Sequence, residues 1–149
     1  MMKTNLIAKS KTSIRAKKGK VWEALVTPEI IKKYMFGANV ESDWREGSEI
    51  TWKGEMNGKK YADKGVIKKI EQEQILQYTH FSPLSGKPDQ PENYHTITIV
   101  IEEEANKTDV SLSQDNNADE KACRESEKNW QTMLEGLKKC VEKSNSFSV

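Results

Sequence analysis

From Gly37 to Asp115 the apolar residues of this chain recur at every second position, whereas in residues 18–36 before that span and 117–143 after it they recur every three or four. A period of two belongs to strands with one buried face, and a period near 3.6 to helices with one buried stripe. No element patterned in this way can bury its apolar side alone, so sheet and helices must close on one another. The order is one strand, two short helices, about six antiparallel strands and one long helix. The expected fold class is α+β: a curved antiparallel sheet wrapped around the C-terminal helix, with the two short helices after the first strand closing one end.

The pieces carry their own boundaries. Residues 4–16, TNLIAKSKTSIRA, read as a long, half-exposed strand. In GKVWEALVTPEIIKKYMF, residues 19–36, the spacing predicts one helix from Lys18 to Val26 and another from Pro28 to Tyr34. Thr27 is placed to cap the second helix, with Pro28 at the first position, where a missing N–H costs nothing. Val21, Trp22 and Leu25 are expected to plug the end of the sheet. In SEITWKGEM, Ile50, Trp52 and Met56 alternate with charged and hydroxyl residues, and Asn57-Gly58 marks a tight hairpin to the return strand KYADKGVIKKIE. QILQYTHF, YHTITIVIEEE and DVSLSQD supply further strands. Between the first two of these lies residues 82–93, SPLSGKPDQPEN, a proline-rich loop read either as plain loop or as a lid. As a lid it would set Ser82, Leu84 and Pro91 over a cavity mouth.

The last helix begins near Asn117 or Asp119 and runs to Lys143. Trp130, Leu134, Leu137 and Val141 form its stripe, widened by Met133 and Cys140. Towards Cys123, Ser126 and Glu127 the stripe fades, so the first half of the helix should face something less dry than the second. The two cysteines, Cys123 and Cys140, lie 17 residues apart on this helix. That is about 25 Å at the helical rise, too far for a disulfide.

Composition narrows the function. Hydrophobic residues make up 35% of the 149 residues, charged residues 32%, and the net charge is +1. No basic stripe with interleaved aromatics is present, so nucleic acid is not an expected partner. MMKTNLIAKSK lacks the apolar core of a signal peptide, and no run approaches the length of a membrane span. The expected setting is reduced and cytoplasmic.

Several motifs, in order, resemble one superfamily. VWEALVTPE at 21–29 is similar to the opening signature of the START-like (SRPBCC) proteins, and most of all to the branch named for the activator of heat-shock protein 90 ATPase. The W-x-x-G-x-x-x-x-W block from Trp44 to Trp52, Gly65-Val66, I-L-x-Y-T at 75–79, Thr108-x-Val110-x-Leu112 and the final helix with Trp130 and Leu137 continue the likeness. It covers nearly the whole chain, taken as a single START-like domain of residues 1–149. The resemblance implies a helix-grip (START/Bet v-like) fold, often with an elongated apolar cavity between sheet and helix. It also implies carriage of lipids or other hydrophobic molecules, with chaperone binding or cyclase- or hydrolase-like catalysis as alternatives. Fold alone does not choose among these. Two positions depart from the pattern: His80 stands where relatives often carry tryptophan, and Gly47-Ser48 where they often carry Gly-Gly.

By alternation, Ile50, Trp52 and Met56 share the inner face with Leu76, Tyr78 and His80, with His95, Ile97, Ile99 and Ile101, and with Val110 and Leu112. Trp130, Met133, Leu134 and Leu137 face them from the helix. These residues either pack as core, each large side chain contributing about 1.5–3 kcal/mol, or line a pocket for a small hydrophobic or aromatic molecule. The candidate ligand-binding set is Trp52, Met56, Tyr78, His80, Tyr94, Ile97, Ile99, Trp130, Met133, Leu134 and Leu137. His80 and His95 are the only histidines. No third ligand has a metal spacing, and no nucleophile–base pair stands out, so no metal, cofactor or catalytic residue is assigned. A chaperone-type partner would use the charged outer face at Lys53, Glu55 and Lys68. An enzyme would use His80 or His95 as acid–base group.

Overall fold

The computed structural model describes residues 6–146, the side chains of Met56 and of residues 144–146 excepted. The expected inward placement of the Met56 side chain therefore lies outside the described residues. Strand β1 (Leu6–Ile14) is followed by α1 (Lys18–Val26) and α2 (Pro28–Tyr34). Six more strands follow: β2 (Asn39–Ser42), β3 (Glu49–Met56), β4 (Lys59–Glu71), β5 (Ile75–His80), β6 (His95–Glu104) and β7 (Lys107–Asn117). The chain then enters α3 (Glu120–Ser146). All strand pairs are antiparallel, and the sheet order is β1-β7-β6-β5-β4-β3-β2. This is the helix-grip arrangement: β2 to β7 form a meander, and β1 returns to pair with β7.

The alternation expected of the strands is realised as burial. Ile50, Trp52, Leu76, Tyr78, Ile97, Ile99, Ile101, Val110 and Leu112 all lie in one core with Met133, Leu134, Leu137 and Val141 of α3. Val21, Trp22, Leu25, Ile31 and Tyr34 join that core from the helix pair, and the Tyr34 hydroxyl donates to the Ala24 carbonyl at 2.8 Å. The short helices thus close one end of the grip. Thr27 sits at the expected position, but its side chain makes no capping bond; its carbonyl instead accepts from Ile30 and Ile31. Asp119 caps α3, its carboxylate accepting from the Ala122 N–H at 2.8 Å, while Asn117 ends β7.

Two features shape the sheet where β4 crosses its neighbours. The Asn57-Gly58 turn places both residues at positive φ, 53° and 78°, which gives the hairpin its register, Met56 opposite Lys59 and Trp52 opposite Asp63. At Gly65 a Cβ would fall 1.7 Å from the Thr79 carbonyl oxygen, so the backbones of β4 and β5 approach there as only glycine allows. A register shift lies two residues further along β4, between Ile67 and Lys69.

Helix α3 packs along β1 and reaches over its outer edge. Glu127 accepts from the Lys9 N–H at 2.9 Å, Gln131 donates to the Lys11 carbonyl at 3.1 Å, and Glu142 accepts from the Arg15 N–H at 2.9 Å. Through Glu127 and Gln131 the polar first half of the helix, legible as a fading stripe, bonds to the backbone of β1, and Glu142 near the helix's end bonds just beyond the strand.

Candidate functional site

Between the sheet and the first half of α3 the packing opens into a cavity of about 280 Å³. Its walls come from β3 (Trp52), β4 (Tyr61 and Asp63), β5 (Tyr78 and His80) and α3 (Trp130). Met35, Phe36 and Ala38, beyond α2, and Ser82 and Leu84 of the 82–93 loop complete it. Phe36 and Leu84 are exposed, so the wall ends in two apolar side chains open to solvent. The cavity lies where α3 turns polar and ceases to fill the sheet's concave side.

The aromatic walls are mutually packed. Trp52 lies 5.2 Å from Tyr78 and 5.1 Å from His80, centroid to centroid, the latter edge-on; His80 stacks on His95 at 6.4 Å. Burial pushes the Tyr78 hydroxyl well above the ordinary tyrosine range. At Tyr61, burial and then the nearby Asp63 carboxylate also raise the hydroxyl above its ordinary value. Both phenols are therefore neutral hydrogen-bonding groups at neutral pH.

One polar pair stands in this wall. His80 Nε2 lies 2.8 Å from Asp63 Oδ2. A carboxylate only accepts, so Nε2 carries the proton and donates. Asp63 Oδ1 is buried and has no hydrogen-bond partner among the described residues. His95 is held differently, donating from Nδ1 to the Asp115 carbonyl at 3.0 Å. Among the described residues no group of three or more His, Cys, Asp or Glu side chains is arranged to hold a metal ion.

Trp130 is fixed from behind. Its indole N–H donates to Gln114 Oε1 at 2.6 Å, and the Gln114 amide nitrogen donates to Asn117 Oδ1 at 3.2 Å. Asn117 in turn accepts from Ser126 at 3.0 Å and donates to the Leu6 carbonyl at 2.8 Å. Gln114 and Asn117 are both buried. The network ties β7, β1 and α3 together at one end of the cavity.

The structure divides the expected ligand-binding set. Trp52, Tyr78, His80 and Trp130 line the cavity. Ile97, Ile99, Met133, Leu134 and Leu137 do not; they are packed in the core, where the gap bordered by Ile99 and Met133 is only about 20 Å³. Tyr94 lies apart. It stacks on Phe81 at 5.1 Å and donates to Asp89 at 2.6 Å. Phe81 follows the inward His80 by one residue and so points the other way. Hydrogen bonds from Lys64 and Tyr94 hold the Asp89 carboxyl below its usual value. Of the loop residues, Ser82 and Leu84 reach the cavity, and Pro91 is not in its wall. Tyr61 and Asp63 were not among the expected residues. The signal for them was the Asn57-Gly58 turn, whose register sets Asp63 opposite Trp52 and Tyr61 opposite Gly54.

The family described as Activator of Hsp90 ATPase homolog 1-like protein matches residues 15–142. No curated protein matches the chain. Among solved structures, the solution structure of ChR145 from Cytophaga hutchinsonii is 59% identical, with a TM-score of 0.85 over 97% of this chain and 99% of that one. The solution structure of the Aha1 dimer from Colwellia psychrerythraea is 21% identical, with a TM-score of 0.72 over 91% of this chain and 96% of that one. Ara h 8.0201 is 11% identical, with a TM-score of 0.73 over 94% and 99%. The last two are likenesses of fold.

Proposed function

The chain belongs to the Activator of Hsp90 ATPase homolog 1-like family, and we propose that it binds a small, largely apolar molecule in the cavity between sheet and α3. The observation that carries this reading is the cavity itself. Trp52 and Tyr78 pack on each other, yet about 280 Å³ stays open against them and Trp130, where a fully filled core would leave no such space. A concave, aromatic-walled site with a few polar groups is the usual makeup of a small-molecule pocket. His80 and Asp63 supply polar contacts at one side, and Phe36 and Leu84 an apolar rim.

Native mass spectrometry of the purified protein, followed by solvent extraction, tests the reading. A discrete additional mass is expected, and it should be absent from Ser82→Trp, in which an indole occupies the cavity mouth. Retention of the same mass by Ser82→Trp, or shift changes mapping the ligand elsewhere, would overturn the proposal.

The family description favours a second reading, a chaperone-type protein interaction through the outer sheet face. Lys53, Glu55 and Lys68 are exposed there. Reversing these charges would abolish partner binding under this reading, while Ser82→Trp would leave it intact.

A further inference from the structure

The chain holds 24 lysines and arginines, yet none lines the cavity among the described residues. The cavity's titratable groups are instead one carboxylate, one histidine and two phenols. The Asp63 carboxylate is only half satisfied: Oδ2 accepts from His80, and Oδ1 is buried without a partner. A carboxylate in that state is costly unless a positive charge lies near it. Lys64, the next residue along β4, points to the other face and is paired with Asp89. Apart from His80, which is a cation only when protonated, no basic side chain lines the cavity beside this carboxylate among the described residues.

The cavity wall that holds Asp63 also carries the aromatic rings of Phe36, Trp52, Tyr61, Tyr78 and Trp130. Aromatic rings attract cations through their quadrupoles, and more strongly where water is excluded. The same wall repels anions: a fatty acid or phosphate headgroup would meet a carboxylate and no lysine or arginine.

We propose that the ligand is a cationic amine with an aromatic or alkyl body, its ammonium group set among these rings within the field of Asp63. The charge compensates the carboxylate from the cavity side, and the apolar body fills the space towards Phe36 and Leu84. This inference rests on the ligand-binding reading and narrows it to a chemical class.

A matched probe series tests it: 2-phenylethylammonium, 2-phenylethanol and phenylacetate, alike in size and differing in charge. Binding is followed at constant pH and ionic strength through the indole N–H signals of Trp52 and Trp130. The ammonium probe should bind about tenfold or more tighter than the alcohol, and phenylacetate more weakly than either. In Asp63→Asn the ammonium advantage should fall several-fold, to what the rings alone provide, while alcohol binding stays the same; should that variant fail to fold, the wild-type series alone decides. Equal binding of the ammonium and the alcohol, or preference for phenylacetate, would overturn the inference and leave the binding reading standing. Absence of binding by all three would overturn both.

Discussion

The indole N–H of Trp130 on α3 donates to the side-chain oxygen of Gln114 on β7 at 2.6 Å. Indole is a donor only, so this contact fixes which way the Gln114 amide faces and directs its nitrogen to Asn117. A buried donor left unsatisfied costs about 1–3 kcal/mol. Gln114→Leu is therefore expected to lower the unfolding free energy by about 1–3 kcal/mol and to release the Trp130 ring. Urea unfolding measures the first effect, and a shift of the Trp130 indole signal the second.

Two glycines on the cavity side of the sheet should respond very unequally to alanine. At Gly65 the new Cβ would meet the Thr79 backbone oxygen at 1.7 Å, and β4 and β5 would have to part. Gly65→Ala should cost about 3 kcal/mol or more. At Gly54 the Cβ would meet the outer edge of the Tyr61 ring, its hydroxyl oxygen at 2.6 Å, Cζ at 2.8 Å and Cε1 at 3.0 Å, all at the far end of a side chain that can turn away. Gly54→Ala should cost less than about 1 kcal/mol and move the Tyr61 ring within the cavity. Thermal unfolding of the two variants, with ring signals for Tyr61, separates the outcomes.

The β6–β7 hairpin holds Ala105 at a φ of 57°. That region costs a residue with a Cβ about 1–2 kcal/mol, and glycine little. Set against the extra freedom that glycine gives the unfolded chain, Ala105→Gly should still gain about 0.5–1 kcal/mol. For a domain of this size the melting temperature should rise by about 1–4 °C, a change calorimetry resolves.

Alkaline pH should unfold the protein through its tyrosines. Burial raises Tyr34 well above its ordinary value of 10.0 and raises Tyr78 likewise. In the unfolded chain both lose their protons near the ordinary value; in the folded chain they keep them. The unfolded state is therefore favoured as pH climbs beyond about 10, and the stability these neutral phenols contribute is intact below it. Tyrosinate absorbance for Tyr34 and Tyr78 should appear together with loss of near-ultraviolet ellipticity. Ionisation of both in a still-folded protein would contradict the burial argument.

The two short helices, the long α3 and the inward faces of β3, β5, β6 and β7 were legible because each obeys a single period over its whole length. β2 was not, because Asn39–Ser42 is only four residues long and just one of them, Val40, is buried. Asp63 and Gln114 were hidden for another reason. Each is a polar residue on an inward face, where alternation predicts an apolar one, and each is held there by a partner on a different strand or helix. The division of the expected site into open cavity and filled core is likewise a matter of distance between layers. Leu134 and Leu137 have the same pattern as Trp130, but α3 lies close enough to the sheet at their end to leave no space.

The contacts from Glu127, Gln131 and Glu142 to the backbone of Lys9, Lys11 and Arg15 have a consequence for self-association. A bare edge strand is a template on which another chain can add a strand, the first step towards sheet-to-sheet polymerisation. Along β1 and just past its end those backbone groups are already occupied by side chains of the protein's own helix. An incoming strand would have to strip α3 away before it could dock. The helix that closes the grip thus also guards one margin of the sheet against aggregation.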